Sequence, residues 1–235
     1  MPEPLRVLTW NLFHGRTVPE SGRLALPEFS RALAGWEWDV ALLQEVPPWW
    51  PAPLACAAGA VERHVLTSRN SLPALRRALA ERHADRVRSN GGGANAILVR
   101  GLGVDAHNTR RLRVLPERRY LHAVRLAPGG VWVANTHASV RSADVDAIDP
   151  ELARRVALRW AGRSPLVFGG DLNHRRLRMP GLVHAAGDRI DYVFARGFEP
   201  AGPAEVLERG PLSDHAPVLV TLRAAPPGED ARERR

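Results

Sequence analysis

Short runs of β-branched and aromatic residues, bounded by turn residues, recur along most of the chain and predict strands. They fall at 5–10, 40–44, 61–66, 95–99, 121–126, 131–135, 166–168, 190–194 and 218–222. Helical periodicity is rarer. Residues 27–35 place Phe29 and Leu33 on one face, and 72–84 repeat Leu72, Leu75 and Leu79 as an apolar stripe. Asp149 and Pro150 read as N-cap and first residue of a helix running to Trp160, with Leu152, Val156 and Trp160 as its buried stripe. Strands outnumber helices, and tight turns such as Pro128-Gly129-Gly130 join neighbouring strands, so the pattern predicts mixed rather than parallel sheets. Gly91-Gly92-Gly93 precedes a strand instead of opening a helix after one, which makes it a flexible turn and not a dinucleotide loop.

No fixed-period repeat or internal linker interrupts the pattern, so residues 1–223 read as one α/β domain. Residues 224–235, rich in proline and charge, read as a frayed tail. A chain of 235 residues with 45% hydrophobic and 25% charged content builds a substantial core and is not a disordered sequence. No apolar run has the length of a membrane-spanning helix, and the first residues lack a signal-peptide pattern; a cytosolic location is the expectation. The single cysteine, Cys56, leaves no intrachain disulfide or cysteine metal cage and is expected to be a small buried hydrophobe. All 33 basic residues are Arg, which reflects composition bias, but the net charge of +8 favours an anionic partner.

The chemistry gathers where apolar runs end, the positions at which a rigid sheet presents side chains on loops. Thr9-Trp10-Asn11 ends one run, Gln44-Glu45 a second, Asn135-Thr136-His137 a third, and Gly169-Gly170-Asp171-Leu172-Asn173 a fourth. Arg189-Ile190-Asp191-Tyr192-Val193 opens another strand, and Ser213-Asp214-His215 precedes the last. Carboxylate and amide oxygens suit Mg²⁺ or Mn²⁺, imidazoles serve as acid or base near neutral pH, and amides donate to a charged phosphoryl centre. Together these are the requirements of metal-assisted phosphoester hydrolysis.

In this order, TWN, QE, NTH, GGDLN, RIDYV and SDH resemble the motifs of the endonuclease/exonuclease/phosphatase superfamily, over nearly the whole chain. The resemblance implies a four-layered α/β sandwich, two mixed β-sheets face to face and flanked by helices. It implies Glu45 as the main ligand of a catalytic Mg²⁺ or Mn²⁺, with Asn11 and Asp214 close by. Asp171 would orient or deprotonate the attacking water, and Asn173 would hold a phosphate oxygen. His215 would stabilise charge or move a proton, its ring fixed by Asp191 in preference to Asp188. His137 would donate a proton to the leaving oxygen, and Arg119 would contact substrate phosphate. Asn95 stands where nuclease relatives carry a Glu that partners the imidazole, and is grouped with Arg119 among the substrate-phosphate residues.

Other residues read more plainly. His14, one turn after Asn11, is within reach of the same metal but is more simply a solvated loop histidine. The tryptophans pack helices on sheets, except that Trp49-Trp50 between prolines suggests an exposed rim loop. Arg175, Arg176 and Arg178 follow the Asp-x-Asn pair as further phosphate contacts. Only twenty positions separate Asp171 from Asp191, a short rim for wrapping a duplex. The leading expectation is a metal-dependent phosphodiesterase acting on nucleic acid. A phosphatase or phosphodiesterase for small or lipid-linked phosphates is the alternative, and a non-catalytic binding protein of the same fold a third. No obligate protein partner is implied.

Overall fold

The computed structural model describes residues 4–68, 70–115, 117–139 and 148–226, apart from the side chain of residue 90. Two mixed sheets face each other. The first runs β11 (Phe198–Pro200), β13 (Val218–Ala224), β1 (Leu5–Asn11), β2 (Val40–Val46), β4 (Ala94–Val99) and β3 (Val61–Leu66), with β12 (Glu205–Val206) also on β13. The second runs β5 (Gly103–Arg113), β6 (Arg119–Ala127), β7 (Val131–His137), β8 (Leu166–Asp171), β10 (Asp191–Arg196) and β9 (Val183–Asp188). In each sheet the strand pairs are antiparallel except for one central parallel pair, β1/β2 in the first and β7/β8 in the second. A parallel pair needs a crossover, and α1 (Leu26–Gly35) and α5 (Ile148–Ala161) lie within the two crossovers.

Alternation along the strands divides the core into three layers. Val7, Leu42, Ile97, Val133, Val167 and Val193 meet between the sheets. Trp10, Phe29, Leu33, Trp50 and Leu54 pack α1 and α2 (Pro51–Ala58) on the outer face of the first sheet. Ala153, Ala157 and Phe168 pack α5 on the outer face of the second. The expected four-layered sandwich is therefore present.

Several local expectations change. The stripe that α5 buries is Ala153, Ala157 and Ala161, one residue away from the larger Leu152–Val156–Trp160 stripe, because alanines let the helix axis approach the sheet. Asp149 lies within that helix, accepts the Ser139 N–H and pairs with Arg113 at 2.8 Å. On α3 (Pro73–Arg82), which a break at His83 separates from α4 (Ala84–Val87), Ala80 is buried while Leu72, Leu75 and Leu79 are exposed. Trp50 is not on a rim loop; it is buried against Phe29 at the head of α2, and Cys56 on that helix is exposed. Of the expected tail, Ala224 completes β13 and pairs with Phe198; residues 227–235 lie outside the described residues.

The GGD run has a steric explanation. Gly170 takes φ +128°, and a Cβ there would stand 2.0 Å from the Thr136 carbonyl of the neighbouring strand. Gly170→Ala is expected to cost at least ~3 kcal/mol, combining overpacking with a disfavoured backbone. Urea unfolding checks this, and an unchanged midpoint would contradict the close-approach account.

Candidate active site

Parallel neighbours end at the same edge, so the two central pairs deliver their C-termini to one end of the sandwich. Asn11 and Gln44 are register partners in the first sheet, and His137 and Asp171 in the second. A bulge in β2 between Leu43 and Val46 adds Glu45, at φ +49°. Regular alternation would send Glu45 away from the second sheet; the bulge turns it inward instead. Its carboxylate lies 3.8 Å from His137 Nε2 and 3.2 Å from His14 Nε2.

Asp171 occupies the middle. Its Oδ2 accepts Asn11 Nδ2–H at 2.9 Å across the sandwich and lies 3.5 Å from His137 Nε2 and 3.9 Å from His215 Nε2. Its Oδ1 accepts the Asn173 N–H at 3.0 Å. Directly across the ladder is Asp191, whose Oδ2 lies 2.7 Å from His215 Nδ1. Asp191, not Asp188, is thus the imidazole partner. Asp214 stands 3.9 Å from His215 Nε2, about half exposed. Among the described residues, Asp171, Asp191 and His215 form the one group of three acidic or imidazole ligand atoms close enough to hold a single ion.

Like charges facing each other in a buried ladder are costly, and the site answers with protons. Burial first, then the Asp191 charge, pushes the Asp171 carboxyl up to about 7 against the pull of His215 and its hydrogen bonds. Burial also raises Asp191, opposed by the hydrogen bond from His215. For His215, burial alone would lower the pKa; the Asp191 hydrogen bond and the Asp191, Asp171 and Asp214 charges outweigh it and raise the ring to about 9. His137 goes the other way: burial, helped by Arg119, His14 and His215, holds it neutral well below its ordinary value.

The remaining expected residues are less simply placed. Asn173 donates one side-chain N–H to the Ala138 carbonyl at 2.9 Å. Arg119 is buried, paired with Glu117 at 2.8 Å, and its Nε has no partner among the described residues. Asn95 is fully buried, and neither amide atom reaches His137 or any other partner among the described residues.

The sequence did not reveal several supporting residues. Ser213 Oγ donates to the Asn11 carbonyl at 2.6 Å and accepts the His215 N–H, so one hydroxyl joins two motifs. Trp10 Nε1–H donates to the His215 carbonyl at 3.0 Å, fixing that loop to the first sheet. Asn135 Nδ2 donates to the Leu43 and Ala96 carbonyls of the opposite sheet, and its Oδ1 accepts Gln44 Nε2–H. Their spacing in the chain gives no hint of these contacts, although each lies inside a recognisable motif.

Residues 8–215 match the model of the Endonuclease/Exonuclease/phosphatase family. The chain belongs to that family. It is accordingly a phosphoric ester hydrolase, and metal dependence is general in the family. Solved structures agree on the fold. An endonuclease/exonuclease/phosphatase from Beutenbergia cavernae DSM 12333 is 24% identical, covers 95% of this chain and 72% of its own, and superposes with a TM-score of 0.68. One from Bacteroides vulgatus is 15% identical, with 95% and 100% covered and a TM-score of 0.70. D. rerio TDP2, solved with a single-strand DNA product, is 16% identical, with 95% and 100% covered and a TM-score of 0.65. No curated protein matches the chain.

The raised Asp171 pKa has a consequence for stability. Because the folded value, about 7, lies above the unfolded one, ionising Asp171 costs folding energy that grows as pH rises from about 4 to 7. In chelator, Asp171→Asn should match the native protein near pH 4 and exceed its stability at pH 8 by a few kcal/mol, on the order expected for a shift of this size. Thermal unfolding across pH measures the difference, and a variant no more stable than native at pH 8 would contradict it.

Proposed function

We propose that the protein hydrolyses phosphodiester bonds of nucleic acid with a divalent metal, Mg²⁺ or Mn²⁺. The observation that carries the reading is the Asp171–Asp191–His215 cluster beside Glu45. It combines a carboxyl that changes charge near neutral pH with a cationic imidazole, in a pocket with surplus negative charge. The oxygen donors suit a hard cation: the Glu45 carboxylate, with Asn11 and Asp214 at the same end of the sandwich. Glu45, Asn11 and Asp214 would hold the ion, which supplies Lewis-acid polarisation of a phosphoryl oxygen when bound.

The protein's own groups divide the rest of the work. Asp171, fixed by Asn11 and the Asn173 N–H, accepts the proton of the attacking water. His215 presents a positive N–H to charge growing on phosphate, and Asp191 holds its tautomer and orientation. Neutral His137 donates a hydrogen bond without carrying charge, a weaker fit to proton donation than to positioning the leaving oxygen. Arg119, with its unpartnered Nε, and Asn173, with one N–H committed to Ala138, complete the phosphate contacts, while fully buried Asn95 stays out of reach of substrate. The charge of +8 and the DNA product on a structural relative support a nucleic-acid substrate. A phosphoester with an apolar group is the second reading, favoured by an open recess of about 640 Å³ in which Ile148, Leu152, Leu177, Met179 and Pro180 line the wall together with Glu151, Arg155 and Arg178.

Plasmid nicking tests the first reading. Native protein with Mg²⁺ or Mn²⁺ is expected to nick, EDTA to abolish nicking, and Asp171→Asn to slow it ~10²–10⁴-fold, the scale of a lost general base. Nicking that survives the variant would overturn the assignment of Asp171. Folded protein that leaves plasmid intact but cleaves lipid-linked phosphoesters would move the substrate to the second reading.

A further inference from the structure

His14 does not behave as a solvated loop residue. The turn after β1 holds Phe13, His14 and Gly15 at φ +49°, +54° and +79°, three successive left-handed residues of which only one is glycine. Such conformations persist where surrounding structure enforces them, and they cluster at functional sites. Here the enforcement is visible. Phe13 N–H donates to Asn11 Oδ1, Leu12 N–H to the Gln44 carbonyl, and Ala25 N–H to the Gly15 carbonyl. The Trp50 ring lies so close to Gly15 that a Cβ there would fall 2.3 Å from it.

The outcome of this strain is a single polar contact. His14 Nε2 sits 3.2 Å from Glu45 Oε2, its ring mostly buried, and Nδ1 has no partner among the described residues. Glu45 is itself a left-handed bulge residue, so two disfavoured backbones oppose each other across this contact. For neighbouring ligands of an octahedral ion bonded at ~2.1 Å, a right angle puts the donor atoms ~3 Å apart, close to this separation.

We propose that His14 supplies a nitrogen ligand to the ion held by Glu45, so that the site selects Mn²⁺ over Mg²⁺. Both ions take oxygen donors, but Mg²⁺ demands near-ideal oxygen geometry and keeps its waters, whereas a first-row transition ion such as Mn²⁺ also accepts an imidazole nitrogen. This rests on the metal-dependent reading of the site above. It adds that one donor is nitrogen and that the strained turn exists to deliver it.

Binding of the metal alone to the chelator-stripped full chain provides the test, without turnover. Mn²⁺ titration followed by electron paramagnetic resonance, with Mg²⁺ as competitor, gives both affinities, and pulsed measurements detect a directly bonded ¹⁴N. Native protein is expected to bind Mn²⁺ at least ~10-fold more tightly than Mg²⁺ and to show the nitrogen coupling. His14→Gln, which keeps an oxygen donor, should weaken Mn²⁺ by roughly 10-fold or more, change Mg²⁺ far less, and lose the coupling. His137→Gln should retain it. Mn²⁺ bound with native coupling in His14→Gln, or coupling lost only in His137→Gln, would reduce the His14–Glu45 approach to an electrostatic contact and overturn the proposal while leaving the metal-dependent reading intact. Failure of native protein to bind either ion would overturn both.

Discussion

The site depends on a hydrogen-bonded amide that crosses the sandwich. The bulge at Gln44 and Glu45 interrupts the β2–β4 ladder, and Asn135 of the second sheet satisfies the Leu43 and Ala96 carbonyls from the opposite side. Its Oδ1 takes Gln44 Nε2–H in return. These groups are fully buried, where each unpaired polar atom costs about 1–3 kcal/mol, so the bulge and the amide require each other. Registered in this way, the first sheet can present Asn11 to Asp171 of the second.

Electrostatics follows from that registration. Antiparallel pairing sets Asp191 opposite Asp171, and the last loop, fixed by Trp10 and Ser213, brings His215 to both. The repulsion is relieved by a proton on the buried carboxyl and a cation on the imidazole. The arrangement sacrifices stability for a group that changes charge near neutral pH, a familiar trade at active sites.

Much of this was legible because the residues that gather at the site end strands, and strand ends carry a signal: apolar alternation stops and a polar residue follows. Glu45, His137 and Asp171 were visible for that reason, and Asp191 by its place in strand register. What stayed hidden depends on contacts between segments far apart in the chain. Adjacent Gln44 and Glu45 read as a strand end, whereas the bulge that turns Glu45 inward beside Gln44 is matched by Asn135, 91 residues from Gln44 in the chain. The α5 stripe was displaced by one residue because periodicity rewards large side chains while close packing selected alanine. Strand β5 carries no strand signal in the sequence, because its polar edge segment, with Asp105, Asn108, Arg110 and Arg111, lacks sustained alternation. Nothing at Phe13 or His14 announces a left-handed backbone, so His14 looked like an ordinary loop residue.

The most direct test of the account is the rate at which Asn135→Ala hydrolyses a simple phosphodiester, measured well below its own unfolding temperature. Asn135 touches two carbonyls and Gln44, and no catalytic side chain. The folded variant is expected to lose about tenfold or more, because small displacements between the sheets misplace Glu45 and Asp171. A folded Asn135→Ala protein that is destabilised yet turns over at the native rate would show that the sheets are registered by other means.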